Sequence, residues 1–213
     1  MVLTVLSVSL SCYQPLDTTG DTGGAQPTLA LKGPCGRYAW LALEDIALRL
    51  TSDEPCSQCG VMVALAPDES GYRSELTRDD GVITTSWVCS DGEVAVRQVT
   101  FGDDPTDVDQ YDPPAVRWID GTPVGGGWTT TSQVTQVRGG ELQDVFDRTD
   151  TYVVEAEETL DLPPGLFDTV RLREQTSGDQ RWVSEGFGLI QAVDEDGSAR
   201  LTGLSWPGED TGG

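Results

Sequence analysis

No histidine occurs anywhere in this chain of 213 residues. Its absence removes Ser-His-Asp and Cys-His catalysis, histidine-ligated zinc and the commonest general base at neutral pH. Basic side chains are also scarce: 13 Lys and Arg stand against 36 Asp and Glu, a net charge of −23. Such a chain repels phosphate backbones and anionic lipid surfaces, which excludes nucleic acid as a partner. The charge reads as a solvated acidic exterior. Long apolar runs are missing too. The run from Met1 to Ser11 is too short to span a bilayer as a helix, and no long helical period is present.

What remains reads as strand, organised around Pro163 to Ile190. Pro163-Pro164-Gly165 breaks the chain, and Phe167 to Glu174 then alternates with Val170 and Leu172 on one face. Thr176 to Asp179 supplies a turn, and the next strand carries Trp182 and ends at Gly186-Phe187-Gly188. Two glycines flanking an aromatic predict a bulge or a close backbone approach at a sheet corner. The clearest hairpin is Val82 to Ser90, Asp91-Gly92, Glu93 to Phe101. A two-residue Asp-Gly turn sets Cys89 opposite Val94 and Trp87 opposite Val96, with Ile83 on the same buried face.

Further strands are predicted over Trp128 to Val137, Phe146 to Ala156 with Tyr152 and Val154 on one face, Leu189 to Val193 and Ala199 to Trp206. Arg37 to Leu50 fits both the helical and the strand period and is read as strand. Gly102 to Asp112, with five aspartates, is read as an exposed loop. Eight to ten strands joined by short turns predict a mainly β fold, a meandering antiparallel sheet with few or no long helices.

Residues 1–12 read as a signal peptide with a lipidation site, 13–33 as a disordered tether, 34–206 as a single β domain and 207–213 as a disordered tail. The apolar run ending on Cys12 resembles the export signal of bacterial lipoproteins, with Ser9-Leu10-Ser11 where Leu-Ala-Gly is usual. Lipidation of Cys12 is the leading reading, beside a plain secreted protein and an ordinary N-terminal strand.

The run Pro163-Pro164-Gly165-Leu166-Phe167-Asp168-Thr169-Val170-Arg171, followed by Gly186-Phe187-Gly188-Leu189-Ile190, resembles the closing half of a group of bacterial envelope lipoproteins. Tyr111-Asp112-Pro113-Pro114 and Gly125-Gly126-Gly127-Trp128 are similar to an upstream segment of that group. The resemblance covers roughly Tyr111 to Trp206. It implies a curved antiparallel sheet similar to the LolA/LolB half-barrel, located in the cell envelope.

With Cys12 set aside, Cys35, Cys56, Cys59 and Cys89 remain, and three pairings are open. Disulfides are the default in an oxidising envelope. A four-cysteine zinc site and a redox pair at Cys56 and Cys59 are the alternatives. The acidic loop at Asp103, Asp104, Asp107, Asp109 and Asp112 invites calcium, but solvated acidic loops are commoner, so no metal is expected. Gly186 and Gly188 lack the third glycine and the following helix of a dinucleotide site, so no cofactor is expected.

The functional reading is a non-enzymatic envelope lipoprotein, or a secreted protein, whose concave β face binds an apolar ligand (a lipid or a hydrophobic peptide) or a partner protein. By alternation that face carries Trp87, Val96, Trp128, Tyr152, Val154, Val170, Leu172 and Trp182. The competing readings are an envelope enzyme using carboxylates or the Cys56–Cys59 pair, and a purely structural surface protein.

Overall fold

The structure, a computed structural model, describes residues 47–52, 59–68, 71–90, 92–102, 104–195 and 197–205. The predicted residues 1–46, with Cys12 and Cys35, lie outside this set, as do Cys56 and the tail after Ser205. Twelve strands follow one another: β1 (Ala47–Thr51), β2 (Gly60–Asp68), β3 (Gly71–Arg78), β4 (Gly81–Ser90), β5 (Glu93–Phe101), β6 (Val108–Ile119), β7 (Gly127–Arg138), β8 (Glu141–Leu162), β9 (Gly165–Glu174), β10 (Gln180–Ser184), β11 (Gly188–Asp194) and β12 (Gly197–Ser205). No helix occurs among the described residues. Each strand pairs antiparallel with the next, and β1 pairs with both β2 and β12, so the sheet closes into a barrel. The mainly β, curved antiparallel architecture is the one expected. Its curvature runs past a half-barrel to full closure.

The hairpin of β4 and β5 has the register read from its turn, Trp87 opposite Val96 and Cys89 opposite Val94. On β7 the alternation is regular. Thr129 and Thr131 face outward and share hydroxyl contacts of 3.0 Å with Thr151 and Thr149 of β8, while Thr130, Ser132 and Val134 are buried. β-Branched pairs of this kind stabilise adjacent strands.

The acidic segment departs from its reading as a loop, because Val108 to Asp112 belongs to β6. Asp109 is buried there because Arg138 binds it at 2.8 Å, a partner 29 residues away. The neighbouring acids turn elsewhere: Asp107 accepts from the Gly139 amide and Asp104 from Thr106. Among the described residues no group of three His, Cys, Asp or Glu is placed to hold a metal ion.

Pro113 and Pro114 then interrupt β6, since neither offers an N–H to a ladder. The β6–β7 ladder stops at Asp112, and from there the gap is bridged by side chains. The Val116 amide donates to Thr130 Oγ1 at 3.1 Å, and Trp128 Nε1 donates to the Val116 carbonyl at 3.2 Å.

Two apolar clusters make up the core. One gathers Trp87, Val94, Val96, Trp118, Val154, Val170 and Leu172 from the middle strands. The other gathers Leu48, Leu162, Phe167, Trp182, Phe187, Ile190 and Leu201 from β1 and β8 to β12. The Gly186-Phe187-Gly188 signal belongs to the second. Both glycines have positive φ, 80° and 74°, and the turn between β10 and β11 tucks Phe187 edge-on against Phe167 at 5.2 Å. The predicted bulge lies beside it, between Trp182 and Val183.

Cys59 and Cys89 are each disulfide-bonded. They are not bonded to each other. Val61 pairs with Thr77, which pairs with Val82, and Cys89 lies seven residues further along β4. That is about 24 Å of strand, where a disulfide spans under about 7 Å between Cα atoms.

Candidate functional site

Inside the barrel lies a cavity of about 320 Å³. Its two sides differ in chemistry. Strands β2 to β5 supply an apolar wall that includes Met62, Leu76, Ile83, Trp87, Val96 and Val99. Trp87 is kept on it by its indole N–H, which donates to Ser74 Oγ at 2.8 Å and so satisfies the polar edge of the ring. The opposite side carries Tyr111 and Arg117 from β6, Arg148 from β8 and Arg181 from β10.

The three guanidinium groups are held by carboxylates beneath them. Arg117 Nη1 donates to Asp150 at 2.7 Å and to the Tyr152 hydroxyl. Arg148 grips both oxygens of Asp150 through Nε at 2.8 and 3.0 Å. Arg181 lies 3.6 Å from Glu174 and 3.3 Å from Asp179. Asp150 and Glu174 are almost fully buried, with side chains 4% and 3% exposed.

Arg117 reaches inward because of a bulge. Val94 pairs with Trp118 and Ala95 with Val116, leaving Arg117 as the extra residue of β6. Its guanidinium lies over the rings of Tyr111 and Tyr152, 5.9 Å from each centroid. Tyr152 is in turn stacked on Trp128 at 5.3 Å, and Trp128 meets Trp118 edge-on at 6.3 Å. Gly127 allows this stack, because a Cβ there would collide with the Tyr152 carbonyl oxygen.

Charge states follow from these contacts. Burial alone would push the Asp150 carboxyl up, but the Arg148 hydrogen bond and the charges of Arg117 and Arg148 outweigh it and hold it below its ordinary value. Burial opposes the charge on Arg117, and Tyr152, Asp150 and Tyr111 more than restore it, so its pKa is raised. Burial is the main reason that the Tyr152 hydroxyl is raised. Arg117, Arg148 and Asp150 are therefore ionised at neutral pH, with Tyr152 neutral. Burying this cluster costs desolvation that an apolar core would avoid, so it is weak as a stabilising device.

The residues expected on a concave face are divided by the structure. Trp87 and Val96 line the cavity. Val154, Val170 and Leu172 belong to the cluster around it, and Trp128 packs against that cluster. Tyr152 stands under Arg117. Trp182 alternates with Arg181 and Val183, so it points to the other face of β10, where its N–H donates to Glu158 at 2.8 Å. Sequence reading missed the arginines and the acids below them. A signal existed: Asp150 and Arg148 continue the period-two face of Val154 and Tyr152, and Glu174 continues that of Val170 and Leu172. Charges on a face otherwise predicted buried were the clue.

No family model matches the sequence, and no curated protein matches it. Among solved structures, the chain superposes on a crystal structure from Parabacteroides distasonis of a protein provisionally assigned as a lipoprotein. The TM-score is 0.37 and the identity 14%, over 79% of this chain and 99% of that one. A likeness at that level transfers neither fold nor function.

Proposed function

We propose that the protein is an exported, lipid-anchored binding protein of the bacterial envelope, without enzymatic activity, whose barrel takes up an apolar chain. The observation that carries the binding reading is the cavity of about 320 Å³ with a mainly apolar wall. Its volume lies at the lower end of the roughly 300–1,000 Å³ of small-molecule sites. The enzyme reading fits less well. A general acid wants a raised carboxyl pKa, and Asp150 is lowered. Displacement of a fluorescent fatty acid from the full chain carrying Cys12→Ala tests the reading. Saturable displacement is expected, and its absence would leave a structural role.

The anchor reading rests on the apolar run ending at Cys12 and on the polar stretch after it. Lipidation there would attach the protein stably through more than one acyl chain. In its own host the wild type should fractionate with membranes and Cys12→Ala should not. A soluble wild type with an unmodified Cys12 would remove the anchor. We also infer that Cys59 and Cys89 pair with Cys35 and Cys56, which peptide mapping without reduction would read directly.

A further inference from the structure

We propose that the cavity recognises its guest by the head: Arg148, with Arg117 behind it, binds the oxyanion of an amphiphile whose chain lies along Leu76, Ile83 and Trp87. This rests on the reading that the cavity takes an apolar chain, and it adds what the charged wall is for.

Three observations converge on Arg148. Its Nε is committed to both oxygens of Asp150, which fixes the plane of the guanidinium. Its Nη2 is 3.9 Å from Glu174, beyond hydrogen-bond reach. Among the described residues neither Nη nitrogen has a hydrogen-bond acceptor, and the side chain, 41% exposed, borders the cavity. The open end of a fixed guanidinium is a fork with the geometry of a carboxylate or a phosphate.

The second observation is the lining itself. Arg117 and Arg181 border the cavity with Arg148, and no carboxylate is among its lining residues.

The third is the local balance of charge. Arg117 and Arg148 share one carboxylate, Asp150, at hydrogen-bond distance. Glu174 and Asp179 bring the carboxylates level with the three arginines, but none of the three acids lines the cavity, so the face turned to it is the positive one in a chain whose net charge is −23. A neutral guest would make no use of this. An anionic one gains charge-assisted hydrogen bonds away from bulk water.

The shared chemistry is a singly or doubly charged oxyanion, which could come from a fatty acid, a phosphorylated lipid or a free anion. Calorimetric titration of the full chain carrying Cys12→Ala, at fixed ionic strength, separates them with dodecanoate, dodecyl phosphate, dodecanol and inorganic phosphate as probes. Dodecanoate and dodecyl phosphate should bind at least about tenfold more tightly than dodecanol, a difference of ~1.4 kcal/mol. Arg148→Met should bring that ratio close to one, and Arg148→Lys should keep part of it. If Arg148→Met fails to fold, the lysine variant carries the test. Dodecanol binding as tightly as dodecanoate would overturn recognition of the head and leave the apolar cavity standing. Inorganic phosphate binding as tightly as dodecyl phosphate would overturn the amphiphile. No binding by any probe would remove the cavity reading and this inference together.

Discussion

The two apolar clusters are built from the same alternating strands and end up unlike. Around Phe167 and Phe187 the side chains are packed closed, and Leu48, Ile190 and Leu201 are 0% exposed. Charge meets that cluster at Trp182, which lies under Arg171 and donates to Glu158. Around Trp87 the same kind of wall leaves a cavity and faces three arginines over Asp150 and Glu174. Strand length separates them. β8, with 22 residues, runs well past β9, and Glu141 to Asp150 pair only with β7 among the described residues. Where one strand outruns its neighbours the interior stays open and polar groups can afford to enter it.

The sharpest way to break this comparison is to remove the carboxylate under the arginines. Asp150→Ala leaves Arg117 buried without its charge partner, and a loss of about 3–5 kcal/mol in urea unfolding is expected. Replacing Arg117 by Met as well should recover part of it. If the single variant cost under about 1 kcal/mol, the cluster would be solvated and the contrast between the two regions would vanish.

A matched pair of truncations sharpens the same contrast at smaller cost. Ile190→Ala opens a void in a closed cluster and should cost about 2–5 kcal/mol. Ile83→Ala merely enlarges a space that already exists, and should cost under about 1.5 kcal/mol, because the lost contacts are fewer on the cavity side. Equal costs would mean that the cavity is not open in solution.

The smallest effect concerns acid. The Asp150 carboxyl is held below its ordinary value in the fold, near 3.9 when unfolded. Its contribution is therefore complete above that value and is lost as pH falls through the lowered one. The stability gap between wild type and Asp150→Asn should hold constant from about pH 7 to 5 and close below about pH 4. Ile190→Ala should show no such closing.

These regions were unequally legible. The hairpin of β4 and β5 announced its register, because Asp91-Gly92 fixes the turn and the apolar residues fall in step on either side. The second cluster was announced by Phe167 and by Gly186-Phe187-Gly188. Closure of the barrel was not, since it joins β1 to β12, with Thr51 bonded to Thr202 at a separation of 151 residues. The charged wall was hidden for a related reason. Taken one at a time, Asp109, Arg117 and Asp150 look like surface residues, and partners 29 and 33 positions away make their burial tolerable. Local pattern carries the period of a strand but not the identity of what stands opposite.

The break in β6 at Pro113 and Pro114 changes what the seam is made of. In a closed barrel, parting two strands anywhere along a ladder gives up a whole row of backbone hydrogen bonds. Beyond Asp112 the β6–β7 boundary is fastened instead by two side-chain bonds at Val116, worth about 1 kcal/mol each, and by the edge-on contact of Trp118 with Trp128. The seam there is open to substitution at Thr130 and Trp128, as a backbone ladder is not.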